Sequence, residues 1–398
     1  MRQVKIAEIS SEASTWNPRV SSSDEPFQYI DISSVDAAEK RIGGVVTIAP
    51  SEAPSRARQI VRSDDVLVST VRPNLNAVAL VPKELDGATA STGFAILRAD
   101  TANVDPVYLY HWVRSPQFVR EMTARATGAS YPAVTERAVR DSLLPLPPLA
   151  EQRRIAAILD LADSVHEKRL AILELVDQLP QSVFSQMFGD PSRNERGWTV
   201  LRLDSVLERA DSGWSPTCQG RPATSAEWGI LKLGAVTTCR YLDGENKALE
   251  EGVLPRPNLE VKAGDVLLTR KNTKDLVAAC AYVWTTRERL MIPDLVYRLR
   301  LAEGAPVLPT YLCHMLIHPG IRKRVQSLAR GSAGSMPNIS KQRLACIYLP
   351  VPPVDLQRRF ASVLARAENL RTSVLRQRAC DSDLYKSLAG QSFRQPFR

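Results

Sequence analysis

Leu146-Pro147-Pro148-Leu149-Ala150-Glu151-Gln152-Arg153-Arg154-Ile155 and Val351-Pro352-Pro353-Val354-Asp355-Leu356-Gln357-Arg358-Arg359-Phe360 are two copies of one signal, about 205 residues apart. In each, a double proline makes a rigid hinge. It delivers the chain into a run with apolar residues at helical spacing, because proline suits a helix start and not its interior. A period this long is not a solenoid's, which is roughly 20–50 residues. It points to two copies of a whole module, each a globular head followed by a helix.

Working backwards from the hinges, the halves continue to match. Arg125-Ala126-Thr127-Gly128-Ala129-Ser130-Tyr131-Pro132 faces Arg330-Gly331-Ser332-Ala333-Gly334-Ser335-Met336-Pro337-Asn338; both are small-residue loops ending in proline. Upstream, Asp105-Pro106-Val107-Tyr108 and Leu308-Pro309-Thr310-Tyr311 each open a helix, with proline in the first turn. Further back, Asp65-Val66-Leu67-Val68-Ser69 and Asp265-Val266-Leu267-Leu268-Thr269 are short strands that run into basic polar loops. The expected fold is α+β: two similar α/β heads joined by two long helices that form an antiparallel coiled coil, with a pseudo-twofold internal repeat. The expected boundaries are 1–145 for the first head, 146–190 for hinge and first helix, 191–348 for the second head, and 349–398 for hinge and second helix.

The long helices carry heptad-like seams. The first runs through Ile155, Ile158, Ala162, Val165, Ile172, Val176, Leu179 and Val183, interrupted by Arg169; the second runs through Phe360, Val363, Ala367, Leu370 and Val374, weakens at Gln377 and Asp381, and continues at Leu384 and Leu388. Pro180 falls inside the first helix and is expected to kink or end it. A helix of about 30 residues spans roughly 45 Å, and one turn of B-DNA roughly 34 Å. Antiparallel rods of that length would suit heads that touch one face of a duplex about a turn apart.

Bulk properties narrow the function. Net charge is +9, which favours a polyanionic partner. No apolar run approaches the ~18 residues of a membrane span, and no h-region follows Met1-Arg2-Gln3-Val4-Lys5. The six cysteines are scattered through the second half without a C-x-x-C pair, so neither zinc nor a disulfide framework is expected, and the cytoplasm is the expected compartment. No dinucleotide or P-loop glycine pattern occurs, and no Asn/Asp-Pro-Pro-aromatic tetrad marks an amino-methyltransferase pocket. Asp243-Gly244-Glu245-Asn246-Lys247 reads as a charged turn rather than a nuclease acid–lysine pair, and His111 and His314, at equivalent places in the repeat, read as scaffold. The chain is expected to be no catalyst by itself and to bind no cofactor or metal.

These motifs together resemble the specificity subunit of type I restriction–modification systems. The carriers are Leu144 to Ile155, the end of the first helix at Phe184-Ser185-Gln186-Met187-Phe188-Gly189-Asp190-Pro191, and Asp65 to Asn74. The second hinge departs from the pattern, with Asp355-Leu356-Gln357 where x-Glu-Gln is expected. The resemblance implies two target-recognition domains that each read half of a split double-stranded DNA sequence. It also implies docking of two methyltransferase subunits that carry S-adenosylmethionine and methylate adenine, with one or two ATP- and Mg-dependent translocase–nuclease subunits able to join. It places the protein in phage defence, with no membrane partner. A free-standing DNA-binding regulator built as a fused dimer is the alternative.

Base reading needs paired donors or acceptors on loops, arginine suiting guanine and asparagine or glutamine adenine. In the first head the candidates are Thr70, Arg72, Asn74, Asn76, Arg125, Thr127, Ser130 and Tyr131. In the second they are Arg270, Lys271, Asn272, Lys274, Arg330, Ser332, Ser335 and Asn338. Candidate coiled-coil or subunit-contact residues are Ile155, Ile158, Val165, Ile172, Val176, Phe360, Val363, Leu370 and Val374.

Overall fold

The structure is a computed structural model that describes residues 2–21, 24–331 and 336–393. Its internal contacts divide the chain into two units. Unit 1 comprises residues 1–170 and 376–398, and unit 2 residues 171–375. Each long helix, Leu149–Phe188 and Val354–Ser392, therefore contributes one part to each unit.

In unit 1 the strand Val66–Ser69 is central. It is flanked antiparallel by Val78–Leu80 and Phe94–Ala99, and Ser10–Ser11 pairs with the outer edge of Phe94–Ala99. A second sheet has Phe27–Ile30 between Thr89–Ser91, parallel, and Val46–Ile48, antiparallel. Four-residue strands Arg2–Lys5 and Leu143–Leu146 close the unit just before the hinge. Every residue of Val66–Ser69 is buried, because the strand carries packing on both faces. The helix Pro106–Arg114 lies against this sheet. Asp105 caps it by accepting the Val107 and Tyr108 amides at 3.0 and 3.1 Å.

Unit 2 repeats the order of the four-stranded sheet, while its second sheet has three strands where that of unit 1 has five. Val266–Thr269 is central, flanked by Cys280–Tyr282 and Val296–Leu301, with Leu207–Ser212 on the outer edge. Gly229–Leu231 pairs parallel with Leu290–Met291 and antiparallel with Asn246–Ala248. Thr199–Arg202 pairs with Tyr348–Val351 before the second hinge. Helices Pro309–Ile317, Pro319–Ser327 and Lys341–Ala345 match Pro106–Arg114, Pro116–Arg125 and Glu136–Arg140 of unit 1.

Both hinges are locked by glutamine. Gln152 is fully buried; its Nε2 donates to the Pro147 and Asn103 carbonyls at 2.8 and 3.1 Å, and its Oε1 accepts the Asp105 amide at 2.9 Å. Gln357, also fully buried, does the same with Pro352, Pro306 and Leu308, each at 2.8 Å. A tyrosine completes each lock: Tyr108 donates to the Pro145 carbonyl at 2.6 Å and Tyr311 to that of Pro350 at 2.8 Å. The side chain that both copies retain satisfies the backbone groups that prolines leave exposed, a need any buried hinge has.

The helix segments run antiparallel within each unit. In unit 1, Ile155, Ala156 and Leu159 share a core with Ala389 and Phe393, while Arg169 pairs with Asp381 and donates to the Gln377 carbonyl at 3.4 Å. In unit 2, Arg371 Nε lies 3.0 Å from Asp177 Oδ1, and Phe184 and Phe188 meet Phe360 with ring centroids 5.6 and 5.3 Å apart.

Four seam expectations are corrected. Ile172, Leu179, Leu370 and Leu384 are 39%, 39%, 49% and 53% exposed, whereas Leu173, Val176, Leu364, Ala367 and Val374 are buried. Ile155 and Phe360 are buried, and Ile158, Val165 and Val363 are half-buried. The stripe departs from a strict heptad because each segment packs on its head as well as on its partner, and an unsupercoiled helix drifts about 20° per heptad. Pro180 does not end the first helix, which continues to Phe188. An interior proline costs about 3 kcal/mol, offset here by burial of Phe184 and Phe188 against Tyr311 and Phe360. The stop falls at Gly189, whose φ is +74°. No helix among the described residues is long and apolar enough to cross a membrane.

Candidate nucleic-acid interface

In each unit the structure brings together the two loops that the sequence singles out. In unit 1 the loop after Val66–Ser69 meets the glycine loop through bridges Val71–Ala133 and Thr127–Ala133. The Arg72 amide donates to the Pro132 carbonyl at 2.7 Å, and the Val134 amide to that of Thr70 at 2.9 Å. In unit 2 the bridges are Lys271–Asn338 and Arg330–Asn338; the Asn272 amide donates to Pro337 at 3.4 Å and the Ile339 amide to Arg270 at 2.8 Å. One backbone frame thus occurs twice. Gly128, at φ +101°, makes the first glycine loop: a Cβ there would stand 3.0 Å from the Tyr131 carbonyl oxygen.

The candidate side chains in unit 1 divide into held and free. Thr70 is half-buried, and its hydroxyl donates to the Gly93 carbonyl at 2.8 Å. Asn76, at φ 50°, donates to the Arg114 carbonyl at 3.3 Å, and its own carbonyl accepts from Lys40 Nζ. Burial, and next the neighbouring Arg114 charge, lower the Lys40 pKa to about 8. Arg125 donates to the Ala138 carbonyl at 3.0 Å and pairs with Glu121. Arg72, Asn74, Thr127, Ser130 and Tyr131 are exposed, and the Arg72 guanidinium lies 4.7 Å from the centroid of the Tyr131 ring.

Unit 2 distributes the roles differently. Arg270 is half-buried, its Nε donating to the Asp294 carbonyl and its Nη1 to Asn338 Oδ1 at 3.3 Å. Asn272 is buried and bonds Thr237 Oγ1 at 3.4 Å, which removes it from any surface. Lys274 and Arg330 are exposed, and Lys271 and Asn338 half-buried. Ser332 and Ser335 lie outside the described residues. Two residues at this site had no sequence signal pointing to it: buried Tyr297, 5.5 Å from Arg270 across its ring, and Lys341, 5.7 Å away. Only tertiary placement brings them to the loop.

Elsewhere the structure offers little chemistry. Asp243–Lys247 is part turn and part strand, with Glu245 paired to Lys232 at 3.7 Å. His111 is buried, bonded to Asp160 at 2.8 Å and to the Tyr385 hydroxyl at 2.9 Å, a brace within unit 1. Among the described residues, no group of three or more His, Cys, Asp and Glu side chains could hold a metal ion.

No family model matches the chain. The chain is 33% identical over 169 residues to the type I restriction enzyme EcoEI specificity subunit of Escherichia coli, a match that covers 42% of this chain and 28% of that protein. It spans 48% to 65% of the length of three further specificity subunits. A chain solved in work on complex assembly and conformational transition of the type I R-M system aligns over 100% of this chain and 98% of its own, with a TM-score of 0.63 and 25% identity. The type I restriction-modification system S subunit from M. genitalium, at 12% identity and a TM-score of 0.57 over 98% of this chain, shares the fold. The resemblance carried by the doubled hinge therefore holds: the chain's curated relatives are specificity subunits of type I restriction enzymes, and its two-domain, long-helix fold is one that such a subunit adopts.

Proposed function

We propose that this chain is the DNA-specificity subunit of a type I restriction–modification assembly. The observation that carries this reading is the twice-built loop frame. The same backbone links hold a basic loop against a glycine loop in each unit, while the side chains on the frame differ. One scaffold with two side-chain sets suits two readers of unlike half-sites. The net charge of +9 suits the phosphate contacts that dominate DNA affinity.

In this reading residues 1–145 and 191–348 are the target-recognition heads, and 146–190 and 349–398 are hinge and spacing helices. The exposed residues of the frames contact DNA: Arg72, Asn74, Thr127, Ser130 and Tyr131 in unit 1, Lys274 and Arg330 in unit 2. The chain supplies the address in a bipartite duplex. Two methyltransferase subunits dock on it and bring S-adenosylmethionine, and translocase–nuclease subunits bring ATP and Mg.

The test is selection from random-sequence duplexes at a fixed salt concentration, using the chain purified with whatever subunits accompany it. The reading expects a split target with a fixed spacer, and co-purification of a methyltransferase. A continuous target bound by a solitary chain would support the fused-dimer regulator instead. Methyl transfer or cleavage by the isolated chain would contradict a non-catalytic role.

A further inference from the structure

The two frames match link for link, so their positions can be paired. Thr70 corresponds to Arg270, Arg72 to Asn272, Tyr131 to Met336, and Ala133 to Asn338. On the strand-following loop the two frames carry their arginine at different places. In unit 2 it is Arg270, half-buried and tied to the Asp294 carbonyl and to Asn338; a second arginine, Arg330, stands on the glycine loop where unit 1 has Thr127. In unit 1 the loop's arginine is Arg72, exposed, with no ion pair or side-chain hydrogen bond among the described residues.

We propose that Arg72, held over the Tyr131 ring, is the base-reading side chain of unit 1, and that it donates two hydrogen bonds to the O6 and N7 edge of a guanine. This rests on the DNA-specificity reading above. The backbone at Arg72 is left-handed, φ 49° and ψ 61°, an uncommon conformation for arginine. The frame fixes it: the Arg72 amide donates to Pro132, and its carbonyl accepts the Leu75 amide at 2.9 Å. The Tyr131 ring, 69% exposed, lies under the guanidinium, whose central carbon is 4.7 Å from the ring centroid. This cation–π contact restrains the side chain without using its N–H donors. A phosphate contact needs only a cation; a restrained guanidinium fork suits bidentate reading of guanine. The unit 2 equivalents, buried Asn272 and exposed Met336, cannot build this pair, as expected if the two heads read different bases.

The experiment compares targets selected from random-sequence duplexes by the complete, co-purified protein and by its R72K and Y131L variants. Thermal melts of each variant establish folding. The native protein is expected to select a half-site containing an invariant G·C pair. R72K is expected to relax preference at that one pair by about 10- to 100-fold, with the rest of the target unchanged. Y131L, which keeps the charge, is expected to relax the same pair more weakly. Full discrimination in R72K, with the salt slope of binding unchanged, would make Arg72 a phosphate contact that any cation satisfies and overturn the proposal while leaving the specificity reading intact. No selected sequence with the native protein would overturn both.

Discussion

Arg169 forms an ion pair with Asp381 inside unit 1, so the residue that interrupts the first apolar seam and the one that weakens the second are each other's partners. Their side chains are 24% and 13% exposed. A charged pair in an otherwise apolar seam disfavours slipped registers, since any slip buries an unpaired charge. Replacing one member, R169L or D381L, should cost about 1–3 kcal/mol, and the double replacement should recover most of it. A thermal-melt double-mutant cycle measures this; a double variant as unstable as the sum of the singles would show that the two side chains act independently.

The hinge glutamines predict a symmetric result. Q152L and Q357L each leave buried backbone groups without partners, which costs about 1–3 kcal/mol. Urea unfolding should show a lower midpoint for both. E151L should change stability little, because the second copy functions as a hinge with Leu356 at that position. An unaffected midpoint in Q152L and Q357L would remove the glutamines from the lock.

Much of this was legible in sequence, and the reason is local. Double prolines, proline-opened helix starts and the strand-to-basic-loop transition each signal their own conformation, so a two-domain, long-helix fold could be read. The unread features depend on partners far along the chain. Gln152 meets Asn103, and Arg169 meets Asp381. Asn272, polar and in a basic loop, has every local mark of a surface reader and is buried against Thr237. Ile172 and Leu370 fit a heptad counted on one helix, but the buried stripe is set by two neighbours at once.

Stability should fall in acid. Burial, with a lesser contribution from Arg240, lowers the His314 pKa in unit 2 to about 4. The unfolded imidazole titrates near 6.5, so its stabilising contribution is whole above that pH. It is lost as pH falls from about 6.5 towards about 4, reaching about 3 kcal/mol. Burial also lowers the His111 pKa in unit 1, opposed in part by its bond to Asp160, and adds a loss of the same sign. Melts between pH 7.5 and 4.5 should show the decline, and H314Q should flatten it. An unchanged slope in H314Q would assign the decline to other groups.

Lys274 and Arg330 are exposed on the unit 2 frame and are expected to contact phosphate. K274Q and R330Q should each weaken binding to all duplexes alike and reduce the slope of log affinity against log salt by about 1. Titrations at several salt concentrations read this directly. A loss confined to one base pair of the target would instead make the residue a base reader.

The most direct measurement of the central claim is a head exchange. Residues 1–145 are replaced by the equivalent head of another specificity subunit, and the target is selected from random duplexes before and after. The account predicts that one half of the bipartite target changes, while the other half and the two-part layout persist. A change in both halves, or in neither, would contradict it.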